Sequence, residues 1–189
     1  MKSKKSIALF IREIAVVVIG VLVALFINNW NESIKQQKFI DRTLYAIGEE
    51  IDYSINEING VLDKHYRTID SIDVSYDNEE ETIRDVFVKL EGFRVPEVKN
   101  IGLRYFITSG AELVDYDIIS DLSEIEFVNR GFDMKLSKLN DIVYNNMDST
   151  DPSHKSMVTQ LLGDLIESEE SLLNLYEEFL ENHKISLDR

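Results

Sequence analysis

Residues 14–27 read IAVVVIGVLVALFI, without one polar side chain. As a helix this run extends about 21 Å at 1.5 Å per residue, short of a hydrocarbon core of about 30 Å. Residues 7–11 lengthen it, but only across Arg12 and Glu13. Long side chains near a helix end reach back to the interface, which places Arg12 among the headgroups. At the other end, Asn28, Asn29 and Trp30 put an aromatic ring where an interfacial belt is expected.

Three readings of this run compete. A cleaved signal peptide needs small residues just before its cleavage site, whereas Leu25, Phe26, Ile27 and Trp30 occupy the region. A soluble core helix carries one polar face, and residues 14–27 have none. The favoured reading is an uncleaved signal anchor in a single-pass membrane protein. It divides the chain into a short basic cytoplasmic tail (1–13), a transmembrane anchor core (14–30) and an acidic helical bundle domain (31–189). Arg12, Glu13, Gly20, Ala24 and Trp30 are the candidates for membrane-edge or partner contact. Arg12 and Glu13 form the charged edge, and Gly20 and Ala24 make a small-xxx-small pair that lets helices approach.

Charge is unevenly placed along the chain. Of a net −15, residues 1–29 hold Lys2, Lys4, Lys5 and Arg12 against Glu13, a net +3, so the remainder holds −18. Phosphate backbones are bound through Lys and Arg, so no nucleic acid is expected as a partner, and anionic lipid surfaces are disfavoured. Neutral or basic protein surfaces and cations remain. Lys2, Lys4, Lys5 and the terminal amine favour a cytoplasmic N-terminus. Lys35, Lys38 and Arg42 on the far side reduce the contrast. The expected location is the bacterial inner membrane, with the domain periplasmic.

Beyond the anchor, helical spacing dominates. Across residues 33–70, Ile40, Leu44, Ile47, Ile51, Ile55, Ile58, Leu62, Tyr66 and Ile69 recur in steps of three and four, as an eleven-residue repeat. Eleven residues per three turns gives a nearly straight stripe. The sequence predicts one long rod leaving the membrane, with residues 28–31 as the place for a bend. A polar turn over residues 70–81 precedes a helix over 79–91, capped by Asp77 or Asn78 and ended by Gly92. Pro96 reads as the first turn of a helix ending at Ser109, and residues 95–98 are the one place for a strand. A long helix over 116–147 is capped by Asp115 or Asp117, with Gly131 marking a kink. The last helix runs over 153–183, with Asp151 as cap and Pro152 at its first position. The predicted fold is all-α: an N-terminal transmembrane helix continuing into an antiparallel bundle of about four to five helices.

Residues 12–32, REIAVVVIGVLVALFINNWNE, resemble the N-terminal signature of a family of small, uncharacterised bacterial single-pass inner-membrane proteins. In that family an REI-like start runs into a VVIGVLIAL-like core and ends in INNWNE. A looser likeness lies at residues 103–128, a Tyr/Phe-rich helix, then Ser109 and Gly110, then an acidic helix; the two cover under a third of the chain. The resemblance implies an inner-membrane protein with a helical exterior domain. It brings no activity and no catalytic residue, and Phe26 stands where a polar residue is more typical.

No chemistry rises from the motifs. Cysteine is absent, which excludes disulfides and thiolate sites. His65, His154 and His183 have no zinc-helix spacing. His65 reads as a boundary residue, and His183 as a cation near a helix end. Asp151 and His154 make the nearest approach to a di-iron ExxH pair, at a helix start rather than in a core. Glu167, Glu169, Glu170, Glu177, Glu178 and Glu181 read as a solvated face. The sequence therefore predicts no catalytic, cofactor or metal site and no enzyme. It predicts an anchored interaction or scaffold protein, an accessory subunit of a cell-envelope complex with a protein partner or as a homo-oligomer, in contact with membrane lipid. The alternative is a sensory module that signals through a partner.

Overall fold

The computed structural model describes residues 2–185 and 187, with side chains from Phe10 onward apart from Ile11. Their helices are α1 (Lys2–Val74), α2 (Ile83–Lys89), α3 (Ile101–Ser109), α4 (Tyr116–Asn146) and α5 (Pro152–Asn182), with one 3-10 turn at Ala111–Leu113. The all-α expectation holds, and no strand occurs among the described residues. The chain divides into two compact units, Met1–Arg42 and Thr43–Arg189.

From Lys2 onward the first unit is helix, unbroken through residues 28–31. Phe10 and residues 12–39 are all exposed. One stretch is long and apolar enough to cross a membrane, and none of it is buried by protein. Near its end Phe26 and Trp30 sit one turn apart, ring centroids 6.3 Å from each other. The charges of Lys2, Lys4 and Lys5, which set the expected orientation, lie on side chains outside the described residues.

The second unit is an antiparallel bundle of three long helical segments. From α1 and the first residue after it, the buried residues are Ile47, Ile51, Ser54, Ile58, Val61, His65, Thr68, Ile72 and Ser75. Their steps alternate four and three, the seven-residue repeat of a coiled-coil seam. On α5 the series Lys155, Val158, Leu162, Leu165, Glu169, Leu172, Tyr176 and Phe179 does the same. On α4 it is Leu122, Ile125, Asn129, Phe132 and Leu139. The eleven-residue reading of α1 is therefore corrected. Leu62 and Ile69 only flank the core, and Tyr66 is 45% exposed. Four seam positions are polar, and a stripe drawn through apolar residues alone passes beside them. They are buried because each is hydrogen-bonded: Ser54 to the Glu50 carbonyl, Thr68 to that of Lys64, Ser75 to that of Ile72, and His65 through both ring nitrogens.

These polar positions meet across the seam. Lys155 Nζ donates to the Ser75 and Asn78 carbonyls at 2.6 and 2.9 Å. His65 meets Glu169. Tyr176 donates to Asn129 Oδ1 at 3.1 Å. Burial of each large apolar side chain contributes about 1.5–3 kcal/mol but is non-directional. The polar layers fix which residue faces which, because a slip of one heptad would leave each buried group unpaired.

Residues 91–100 form a strap along α1. Lys64 donates to the Glu91 carbonyl, Arg94 pairs with Glu57, Tyr53 donates to Glu97, and the Lys99 N–H donates to Ser54. Both Glu50 oxygens accept the Gly102 N–H, at 3.0 and 2.9 Å. That carboxylate sits at the first turn of α3, whose own N-cap residue Asn100 makes no side-chain capping bond. Expectation and structure differ here. Pro96 lies in the strap, α3 starts at Ile101, and residues 95–98 form no strand.

α2 starts later than predicted, capped by Thr82 in a reciprocal box with Asp85. Asp115 makes no side-chain cap on α4, and Gly131 does not break that helix. Asp151 caps α5 as expected, accepting from the Ser153 N–H at 2.8 Å, with Pro152 behind it.

The corner joining α2 to the α4–α5 turn is held by exposed carboxylates. The Thr82 hydroxyl and N–H hold Asp85 below the ordinary range, Arg84 at 2.7 Å does so for Asp148, and the Ser153 N–H for Asp151. Lowered carboxyl values mean stability that is present above about pH 3.9 and lost as pH falls through the depressed values. Acidification is expected to reduce amide protection at residues 82–85 and 149–153 before the α1–α5 seam responds, as read by hydrogen exchange. A uniform loss across the bundle would contradict this.

Candidate interaction groove

A groove of about 660 Å³ opens between α2, the turn after it and the C-terminal half of α4. Its shape follows from how α2 ends. Ile83, Val86 and Phe87 are buried, which leaves Val88 pointing outward, 70% exposed. The chain then reverses through Glu91 (φ 59°) and Gly92 (φ 85°), with the Gly92 N–H donating to the Phe87 carbonyl at 2.8 Å. Gly92 takes this left-handed conformation without the penalty a side chain brings. The reversal lays Phe93 back against Phe87, ring centroids 5.7 Å apart. Val95 continues this wall. The opposite wall is Asn140, Asp141, Val143 and Tyr144 of α4 with Met147 just after it, and Tyr144 is 84% exposed. At the rim, Arg84 is taken by Asp148, and Asp141 makes no ion pair among the described residues. The volume lies within the range of ordinary ligand pockets, but the site is open and chiefly apolar, suited to side chains of a partner.

Behind the groove lies a buried histidine–glutamate pair. His65 and Glu169 are both fully buried, with Nδ1 and Oε2 3.0 Å apart. His65 Nε2 lies 2.8 Å from the Arg94 carbonyl. Phe93 stacks on the imidazole at 4.7 Å, so one ring both lines the groove and covers the histidine. Glu169 Oε1 has no partner. The boundary reading of His65 and the solvated reading of Glu169 are both corrected. Each sits on a seam, and each is buried because the other is there.

A second clasp joins α3 to α4. Glu126 Oε1 accepts from Arg104 and Arg130, both at 2.8 Å, while Oε2 has no partner. His154 bonds the Ser149 hydroxyl and His183 bonds Asp121, each at 2.8 Å. No group of three or more His, Asp or Glu side chains placed to hold a metal occurs among the described residues.

The residues singled out from sequence lie elsewhere. Arg12, Glu13, Gly20, Ala24 and Trp30 are all exposed on the first unit, spread along one helix. At 100° per residue, Glu13, Gly20 and Ala24 share one side, and Arg12 and Trp30 another. No atom outside its own helix backbone comes within 4 Å of a Cβ built at Gly20. The groove residues were not singled out. The available signal was apolar residues off the core stripe: Val88 on α2, and Phe127, Met134 and Tyr144 on α4, all strongly exposed.

No family model, curated protein or solved structure matches this chain.

Proposed function

We propose that the chain is a membrane-anchored interaction subunit of a cell-envelope complex. In this reading residues 12–30 hold it in the bilayer. The groove between α2 and α4 receives an amphipathic helix with basic flanks from a partner protein. The observation that carries the reading is an open apolar groove in a strongly acidic domain.

The anchor assignment rests on length and chemistry. Arg12 and Trp30 are about 27 Å apart along a helix, near the thickness of a hydrocarbon core. The likeness of residues 12–32 to a bacterial inner-membrane signature supports that membrane. The basic N-terminal residues support a cytoplasmic N-terminus and a periplasmic domain.

The occupant is argued from charge. Residues 30–189 carry −18. Arg84 is already paired and Asp141 is not, so the rim offers free negative charge. A second copy would bring like charge to the contact, whereas a basic segment is drawn in and oriented. Exposed Val88 and Tyr144 supply apolar anchors for a helix laid in the groove.

The test is purification of the full chain from its own membranes in mild detergent, with a photocross-linker at position 144. The expected result is a stoichiometric protein whose cross-linked segment is apolar on one side and carries Lys or Arg on its flanks. Val88→Asp, which buries a carboxylate in the contact, is expected to cut recovery of that protein at least about tenfold. A partnerless monomer, adducts to this chain alone, or recovery insensitive to Val88→Asp would each sink the reading.

A further inference from the structure

The hydrogen-bond pattern at His65 contains a constraint on protons. The Arg94 carbonyl can only accept, so Nε2 must carry hydrogen to make its 2.8 Å contact. The 3.0 Å contact from Nδ1 to Glu169 Oε2 also needs one hydrogen between its atoms. A neutral imidazole has a single N–H. With Glu169 ionised, only a doubly protonated His65 makes both contacts. Removal of one proton leaves one contact with lone pairs facing each other.

Which contact fails is decided by burial. Glu169 is fully buried, and its other oxygen, Oε1, already lacks a partner. Its charge therefore needs the remaining N–H more than a backbone carbonyl does. The bond to Arg94 is only part-buried, so that carbonyl can turn to water. We propose that His65 and Glu169 form a proton-dependent latch on the strap: with the proton in place the strap is held at Arg94, and loss of the proton releases it there. Addition of a further proton, to Glu169, leaves both imidazole N–H groups donating, so the strap stays held in acid.

The charged neighbours have other partners. On α1, Lys64 donates to the Glu91 carbonyl and Tyr66 to Glu170 of α5. On the strap, Arg94 pairs with Glu57. On α4, Lys135 donates to Ser168 and the Asp164 carbonyl. On α2, Arg84 pairs with Asp148, Asp85 with Thr82 and Lys89 with Glu81. The proton balance thus rests on His65 and Glu169 themselves. The released segment includes Gly92, Phe93 and Val95, which line the groove, so groove shape follows the proton whether or not a helix docks there.

The experiment uses the full chain in detergent micelles, followed from below to well above the ordinary histidine range of about 6.5. Imidazole ¹⁵N shifts of His65 and amide protection factors over residues 91–100 are recorded together. The expected result is that the neutral ring keeps its proton on Nδ1, the less common tautomer, and that strap protection falls at least about tenfold in the same step. Glu169→Gln keeps the shape and lets an amide N–H meet a bare Nδ1. Nε2–H then stays on Arg94, and strap protection is expected not to vary with pH. The proposal is overturned by a neutral ring protonated at Nε2, by strap protection indifferent to the titration, or by a His65 that never titrates while the bundle is folded. If Glu169→Gln does not fold, the tautomer of the unaltered chain decides by itself.

Discussion

His65→Leu is expected to destabilise the bundle by about 3–5 kcal/mol, the usual cost of stranding one member of a buried ion pair. The substitution keeps side-chain bulk on the α1 seam but leaves Glu169, fully buried with Oε1 already unpartnered, without its hydrogen-bond partner. It also removes the donor from the Arg94 carbonyl, a smaller loss of about 1 kcal/mol because that group can reach water. Set against a typical domain stability of about 5–15 kcal/mol, the single variant is marginal. The double variant His65→Leu with Glu169→Leu is expected to recover most of the loss, since an apolar pair of similar volume often replaces a buried ion pair at little cost. Urea unfolding of the full chain in detergent, followed by far-UV circular dichroism, gives all corners of the cycle. A double variant as unstable as the sum of the two single variants would show that the pair contributes packing alone.

The second large effect is alkaline. Burial pushes the Tyr176 phenol up to about 12 from its ordinary 10.0. A raised value means that the fold favours the protonated phenol. Its contribution is fully present below pH 10 and is lost as pH rises toward 12. The shift corresponds to roughly 3 kcal/mol. Tyr176→Phe is expected to flatten that loss, while costing about 1–3 kcal/mol near neutrality because buried Asn129 Oδ1 loses its donor. Unfolding midpoints on either side of this window make the comparison. An alkaline loss of equal size in the phenylalanine variant would assign it to other groups.

Some of this was legible in the sequence for physical reasons that can be named. The apolar run of residues 14–27 needs no context, because composition alone makes it long and apolar. Asp151 and Pro152 announce the start of α5 because a cap is a local event. The seam is not legible where polar residues stand on it. Ser54, His65, Thr68 and Ser75 keep the seven-residue spacing only if polar residues count as inward, and their inwardness depends on partners far along the chain. The strap had no local code at all: Glu50, Ser54 and Glu57 satisfy it from α1, some 40 residues away or more. The groove went unseen because it is made by what α2 and α4 leave uncovered.

Trp30 is the only tryptophan in the chain, and it lies in the first unit, 61% exposed beside Phe26. Indole emission from the intact protein therefore reports the polarity around one end of the apolar run and little of the bundle's folding. Tyr176 is buried in that bundle. All eight tyrosines lie in that second unit, so tyrosine emission reports on the bundle as a whole and indole emission on the apolar helix.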